Sequence, residues 1–218
     1  MKTFIIIPCY NEAEKLANVI NSVKEYGQVV VVNDGSIDAS EQIANDQGAI
    51  VLSHLINRGQ GAALETGNRY ALKNGADIVV HFDSDGQHKA LEIPGLIKPI
   101  LDNKTDIVLG SRFLKGDKTP WFKKYFILKP AIKFQNLITG IKLTDAHNGF
   151  RALSKTALEK IRITQDGMAH ASEIIEQIAQ NKLRYKELPV TIVYHEFGQG
   201  VASGLKILRD LLFGKLNK

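Results

Sequence analysis

The sequence predicts an α/β fold, a mostly parallel central sheet flanked by helices on both faces. Three observations predict it. Near-continuous apolar runs such as Phe4–Pro8 and Gln28–Asn33 recur through the first 111 residues, and strands covered on both faces read this way. Amphipathic helical patterns separate these runs, the alternation of βα units. The residues best suited to chemistry follow the strands, where parallel sheets collect ligands at their carboxyl ends.

Taken in order, Phe4–Pro8 reads as strand one, with Ile5-Ile6-Ile7 as its apolar centre, and Glu12–Glu25 as an amphipathic helix. Gln28–Asn33 is a β-branched run, hence a buried strand, followed by a helix over Asp38–Gln47 with Asp38 as a helix N-cap. Ile50–His54 is strand three. Gly61–Asn74 is a helix stopped by Asn74-Gly75. Asp77–Phe82 is strand four, Leu91–Leu101 a helix and Asp106–Gly110 strand five. Beyond Ser111 the rhythm changes. Gly116–Thr119 is a polar loop, and Pro120–Thr139 mixes aromatics with lysines around Pro130, a helix breaker. Ala146–Leu153 reads as a strand, Ala169–Gln180 as a helix, and Leu183–Leu188 and Val190–Tyr194 as short strands about Pro189. Gly198–Gly204 is a loop. Leu205–Leu216 is an amphipathic helix with Leu205, Leu208 and Leu212 on one face.

The 218 residues suit one domain in three parts: 1–111, 112–200 and a terminal helix in 201–218. The single cysteine, Cys9, excludes an internal disulfide and a multi-cysteine metal site. The N-terminal apolar run is too short for a signal peptide, and no stretch approaches the ~18 apolar residues of a membrane span. A cytoplasmic protein, soluble or peripheral at a membrane, is the expectation. Charge is divided unevenly. Residues 1–111 carry nine Lys/Arg and fourteen Asp/Glu, whereas 112–218 carry nineteen and nine. A basic second half points to an anionic partner, whether nucleic acid, phosphorylated lipid or an anionic bilayer, or else to a basic solvated face.

Four motifs follow strands. Asp83-Ser84-Asp85-Gly86-Gln87-His88 places two carboxylates one residue apart at the end of strand four. Like charges so close repel, and a hard divalent cation, Mg2+ or Mn2+, relieves the repulsion and bridges to phosphates, with Gln87 adding a neutral oxygen. A solvated turn has the same composition. Asn33-Asp34-Gly35-Ser36-Ile37-Asp38 puts Asp34 at the end of strand two, where a carboxylate accepts hydrogen bonds from a base or ribose. In Pro8-Cys9-Tyr10-Asn11-Glu12, Tyr10 is able to stack on a base and Glu12 to bond its polar edge. Asn57-Arg58-Gly59-Gln60-Gly61 lacks the third glycine of a dinucleotide fingerprint and follows the wrong strand, so a nicotinamide cofactor is rejected. Its glycines serve close approach to a phosphate, or tight packing.

These motifs occur in an order that resembles the inverting family 2 glycosyltransferases of the GT-A fold. Gly110-Ser111-Arg112-Phe113, Thr144-Asp145 and Asn148-Gly149-Phe150-Arg151 extend the resemblance, over about residues 3 to 195, to the polyprenyl-phosphate sugar transferase branch, the dolichol-phosphate mannose synthases among them. The resemblance implies a nucleotide-sugar-binding half in 1–111 and an acceptor half in 112–200. It implies that Pro8, Tyr10, Glu12 and Asp34 hold the nucleoside, that Ser84 belongs to the same nucleotide site, and that Asp83 contacts ribose or lies at the metal. Asp85 and Gln87 would ligand Mg2+ or Mn2+. Arg112 and Arg151 would contact acceptor phosphate or donor diphosphate, as planar bidentate donors do. Asp145 matches the family's base or acceptor-positioning carboxylate. The structural alternatives are that Arg151 pairs with a structural carboxylate and that Asp145 caps a turn.

The implied donor is a UDP- or GDP-sugar, and the implied acceptor a polyprenyl phosphate or a lipid-linked saccharide. The basic half then finds its partner at a membrane surface. Trp121, Phe122, Tyr125 and Phe126 beside lysines, and Leu205–Lys218 with Lys206, Arg209, Lys215 and Lys218, resemble interfacial segments. The alternative is that both apolar faces cover the domain core or the partner of a homodimer. The stretch 197–204 lacks the basic residue common in that branch, which keeps a surface-polysaccharide acceptor in view. A sugar-phosphate nucleotidyltransferase would want a Gly-rich basic loop after strand one, which Pro8–Glu12 is not. A nucleic-acid partner is disfavoured because carboxylates at strand ends repel phosphates.

Overall fold

The computed structural model describes residues 1–114, 132 and 136–193. The element order is β1 (Thr3–Cys9), α1 (Ala13–Val23), β2 (Gln28–Asn33), α2 (Ser40–Asp46), β3 (Ile50–Ser53), α3 (Gln60–Lys73), β4 (Ile78–His81), α4 (Ile93–Leu101), β5 (Ile107–Ser111), β6 (Arg151–Ser154), α5 (Lys155–Lys160), α6 (His170–Gln180) and β7 (Tyr185–Pro189). Single 3-10 turns precede α4 and follow β5. Among the described residues no helix is long and apolar enough to cross a membrane.

Seven strands form one sheet in the order β3-β2-β1-β4-β6-β5-β7. All neighbours are parallel except β6, which runs antiparallel to both β4 and β5. The period-two alternation of side chains divides each central strand between two cores. Phe4, Ile6, Val30 and Val32 pack with α3, α5 and α6 on one face. Ile5, Ile7, Val29 and Val31 pack with α1 and α4 on the other. The Ile5-Ile6-Ile7 run is wholly buried, and each such side chain contributes about 1.5–3 kcal/mol relative to exposure. The chain leaves β1 towards β2 and β3, then returns to place β4 on its other side. The order therefore reverses at β1, and a crevice opens between the carboxyl ends of β1 and β4, the place where open α/β sheets bind ligands.

The predicted alternation of the first half matches these elements closely, and Gly75 does stop α3, at φ 78°. The predicted helix from Asp38 begins instead at Ser40, with Ala39 at the N-cap. Asp38 bonds outward to the backbone N–H of Ser40 and of Ala13. The predicted strand Ala146–Leu153 is largely a turn, because Asp145 and Asn148 each accept a backbone N–H two residues on and fold the chain back. Pairing begins only at Arg151. Of the predicted strand Val190–Tyr194, Tyr194 lies outside the described residues, and within 190–193 Ile192 makes one isolated bridge, to His88. The helix α5 was not anticipated. Its signal is Ser154, whose Oγ accepts from Ala157 N at 3.2 Å as an N-cap. The aromatic and lysine cluster around Trp121–Phe126, Pro130, the loop 198–204 and the helix proposed over Leu205–Leu216 lie outside the described residues.

Candidate active site

The crevice at the reversal point is a cavity of about 710 Å³, within the range of small-ligand sites. Three strand ends contribute to its lining. Pro8 and Cys9 end β1 with Tyr10 and Glu12 just beyond it, Asp34 follows β2, and Asp83, Ser84, Asp85 and Gln87 follow β4. Arg112, His147, Asn148 and Gly149 line it too, Gly149 directly against Asp83. Every residue expected from the sequence to hold the nucleoside or the metal therefore lines one cavity; Arg151, expected at a phosphate, does not.

The first two motifs are fastened to each other. Asn11, held at φ 55°, accepts from Ile37 N at 2.9 Å, and its own N–H reaches Ser36 Oγ at 3.0 Å. Glu12 N donates to Ser40 Oγ at 2.9 Å and Ala13 N to Asp38 at 3.1 Å. The serine and second aspartate of Asn-Asp-Gly-Ser-x-Asp thus anchor the turn that carries Tyr10 and Glu12. Tyr10 is 47% exposed, its ring available to a planar base. Burial raises the Glu12 carboxyl above its usual range, with Asp85 adding to the rise.

Asp34 is more deeply committed than the sequence implies. Its Oδ1 accepts from His54 Nδ1 at 2.7 Å and Arg58 N at 3.0 Å, and its Oδ2 from Gly59 N at 2.6 Å. It latches β2 to the 54–59 loop. One carboxylate has about four lone-pair sites, so three bonds leave room for one donor from a ligand. The Asn-x-Gly-x-Gly glycines serve packing rather than phosphate. A Cβ on Gly59 or Gly61 would strike the backbone of Gln165 and Asp166, and Asp166 O already accepts from Gly61 N at the start of α3.

Three motifs converge on Asp83. Gln60 Nε2 donates to Oδ1 at 2.8 Å, His88 Nε2 lies 2.9 Å from Oδ2, and Gly149 has no Cβ where Asp83 sits. His88 is itself fixed between Phe82 and Phe150. Burial pushes the Asp83 carboxyl up, but the His88 hydrogen bond and the charges of His88 and Arg151 outweigh it and hold Asp83 below the usual range. Asp85 is the opposite case. Burial raises its carboxyl, Asp83 raises it further, and the Gln87 backbone N–H at 2.9 Å only partly offsets them.

The lining holds four carboxylates, those of Glu12, Asp34, Asp83 and Asp85, against one guanidinium, that of Arg112. Among the described residues no group of three His, Cys, Asp or Glu forms a closed metal cage. Two carboxylates at an open, anionic cavity fit Mg2+ or Mn2+, which keep several positions for phosphate and water. Asp85 is the better ligand of the two because both oxygens of Asp83 already accept hydrogen bonds.

Arg112 and Asp145 form a two-point pair, Nε to Oδ2 at 2.6 Å and Nη2 to Oδ1 at 3.2 Å, with Arg112 N also on Oδ2 at 3.1 Å. Asp145 is 3% exposed. The pair sits on a turn held from β7. Glu187 accepts from Thr144 N, Thr144 Oγ1 and Asp145 N, all within 3.1 Å. Arg151 does not line the cavity. It lies beneath the floor, 2% exposed, opposite His81 in the β4–β6 ladder. Burial lowers its pKa to about 10, partly offset by Asp83 and Asp145. The sequence reasoning assigned no separate role to Gln60, His88, His147 and Gly149, and missed Glu187, Met168 and Ile192. All but the last three lie inside or beside quoted motifs.

The family model described as "Glycosyl transferase family 2" matches residues 4–162. The chain belongs to glycosyl transferase family 2. Among curated family 2 relatives, the UDP-N-acetylglucosamine–dolichyl-phosphate N-acetylglucosaminyltransferase of Methanococcus voltae is 33% identical over 99% of this chain and 96% of its own. The polyprenol monophosphomannose synthase of Mycolicibacterium smegmatis is 28% identical over 97% of this chain and 84% of its own. The fold is shared with glucosyl-3-phosphoglycerate synthase from Mycobacterium tuberculosis, solved with Mn2+ and UDP-glucose, at TM-score 0.74 and 19% identity over 97% of this chain and 78% of that one. The GT-A architecture expected from the sequence is the one observed.

Proposed function

We propose that this family 2 enzyme transfers a sugar from a UDP- or GDP-sugar to the phosphate of a polyprenyl phosphate, inverting the anomeric centre. The observation that carries the donor half is the carboxylate-lined cavity at the β1–β4 reversal. A nucleoside diphosphate is itself anionic, so four carboxylates would reject it without a divalent cation between them. Curated relatives that match this chain along nearly its whole length carry names of dolichyl- and polyprenyl-phosphate sugar transferases, which supports the acceptor half.

When bound, Mg2+ or Mn2+ neutralises charge on the departing nucleoside diphosphate. The residues of the chain bind and orient. Tyr10 stacks on the base, Glu12 and Asp34 accept from its edge or the ribose, and Asp83 is a fixed acceptor beside Asp85 and Gln87, which would hold the cation. A phosphate acceptor is already anionic and needs no general base. Asp145, with both oxygens on Arg112, is suited to aim that guanidinium at the acceptor rather than to take a proton. Arg151 acts from below as the buried counter-charge to Asp83 and Asp145. The enzyme works peripherally at the cytoplasmic membrane face, through the basic aromatic stretch at 120–139 and the segment 205–218.

The test is release of UDP or GDP from a panel of nucleotide sugars, with Mn2+ or Mg2+, with and without polyprenyl phosphate. The reading predicts release that requires both cation and lipid phosphate. Release stimulated only by a lipid-linked saccharide would favour the surface-polysaccharide alternative. Release unchanged by EDTA would remove the cation.

A further inference from the structure

The cavity runs across strand ends in sheet order. Asp83 and Asp85 stand at β4, Tyr10 and Glu12 at β1 and Asp34 at β2, with Asn57 in the loop beyond β3. Neighbouring strands lie about 4.8 Å apart, so β2 is about 10 Å from β4. A diphosphate held on the β4 side therefore sends its nucleoside towards β2, with the ribose at β1 and the base at Asp34 and Asn57. Glu12 is close enough to Asp85 for their charges to interact, which places it on the ribose stretch.

Asp34 has little left to offer a base. Its Oδ1 carries two donors from the protein, His54 Nδ1 and Arg58 N, and its Oδ2 carries Gly59 N. A carboxylate has about four lone-pair sites, so at most one remains, on Oδ2. A guanine edge presents N1–H and N2–H side by side, which a carboxylate reads with two free oxygens. Asp34 has no second oxygen free. The imide edge of uracil presents a single N–H between two carbonyls, so it needs one acceptor flanked by a donor.

Asn57 supplies that donor. It is exposed, lines the cavity and stands one residue before Arg58. Its side-chain amide makes no hydrogen bond with the described residues. The loop that carries it is fixed on two sides. Asp34 holds Arg58 N and Gly59 N. Gly35 lies so close to the loop that a Cβ there would stand 2.7 Å from the backbone of both Ile56 and Asn57.

We propose that the site selects a nucleoside diphosphate with a pyrimidine imide base, uracil or thymine, over guanine. Asp34 accepts from the base N3–H, and Asn57 donates to a flanking carbonyl. The inference rests on the reading under Proposed function and narrows its donor. Guanine in the same place leaves N2–H without the second carboxylate oxygen it needs, and sites that leave such a group unpaired discriminate strongly.

The test is calorimetric affinity for UDP, TDP, CDP and GDP, each with Mn2+, in wild type, Asn57→Ala and Asn57→Asp. CDP keeps the ring size of UDP but lacks N3–H, and TDP keeps the imide edge. Wild type is expected to bind UDP at least tenfold more tightly than GDP or CDP. TDP as tight as UDP supports the imide edge with both nucleotides as sources, and weaker TDP that still exceeds CDP supports it with uridine as the source. Asn57→Ala should weaken UDP severalfold. Asn57→Asp, which puts an acceptor against a carbonyl, should cut the ratio of UDP to GDP affinity at least tenfold; the ratio cancels the added charge. GDP or CDP as tight as UDP in wild type, or a ratio unchanged in Asn57→Asp, overturns the inference while the transferase reading stands. No Mn2+-dependent binding of any of the four overturns the donor half of that reading and this inference with it.

Discussion

Gln60 donates its side-chain amide to Oδ1 of Asp83 at 2.8 Å. That bond joins the first turn of α3 to the end of β4, and it explains why a glutamine stands between the glycines of Gly59-Gln60-Gly61. The glycines let the loop at 165–167 close over the start of α3, and Gln60 is left facing the carboxylate. With His88 on the other oxygen, Asp83 is fixed before any ligand arrives.

Gly149→Ala tests that fixation. A Cβ there would stand 2.8 Å from Asp83 Oδ1 and closer still to Oδ2, so the carboxylate must move. We expect Mn2+-dependent UDP affinity, measured by calorimetry, to weaken at least tenfold with little change in thermal stability. Wild-type affinity would mean that the position of Asp83 is not critical.

Glu187→Ala removes the acceptor of three donors on Thr144 and Asp145. Loss of the turn's anchor releases the Asp145–Arg112 pair, which the proposed function assigns to the acceptor. The expected outcome is a severalfold rise in acceptor KM, with UDP affinity retained. Glu187→Gln, which keeps an acceptor oxygen, should fall between. Equal effects on both substrates would contradict that assignment of the Asp145–Arg112 pair.

Arg151→Met tests the buried counter-charge. Removing one member of a buried charge cluster costs about 3–5 kcal/mol because its partners remain uncompensated. Asp83 and Asp145 are those partners. Urea denaturation should show a large loss of stability in Arg151→Met and a smaller one in Arg151→Lys. Arg151→Met with wild-type stability and selectively weakened phosphate binding would restore it as a ligand.

Beneath the same floor, burial and the Arg151 charge hold His170 to a pKa of about 4 and His81 to about 3, against 6.5 for a free imidazole. As pH falls through 6.5 the unfolded chain takes up protons that the folded chain refuses. Stability is therefore complete above about pH 7 and is lost progressively down to about pH 4 for His170 and pH 3 for His81. The combined loss is on the order of several kcal/mol. Thermal melts between pH 7.5 and 5 should show a falling Tm, less steep in a His81→Asn variant. A Tm independent of pH in that window would show that these rings take up protons as readily in the fold as in the unfolded chain.

Much of this was legible in the sequence, because the first half obeys local rules. Buried parallel strands announce themselves as apolar runs, and each chemical motif follows one. Legibility failed where side chains override local pattern. Ala146–Leu153 has a strand's composition, yet Asp145 and Asn148 turn the chain by accepting backbone N–H groups. Arg151 was expected at a phosphate because arginine suits phosphate, but its place in the β4–β6 ladder puts it under the floor. Glu187 carries no local mark at all. Its role exists only because β7 lies beside β5, a pairing across 78 positions in sequence.

The central claim is that a divalent cation held by Asp85 admits the donor's diphosphate to a cavity lined with carboxylates. Calorimetric titration of UDP into wild type and Asp85→Ala, with Mn2+ and then with EDTA, tests it most directly. The account predicts tight binding only in wild type with Mn2+. Equal binding by Asp85→Ala, or binding that survives EDTA, would contradict it.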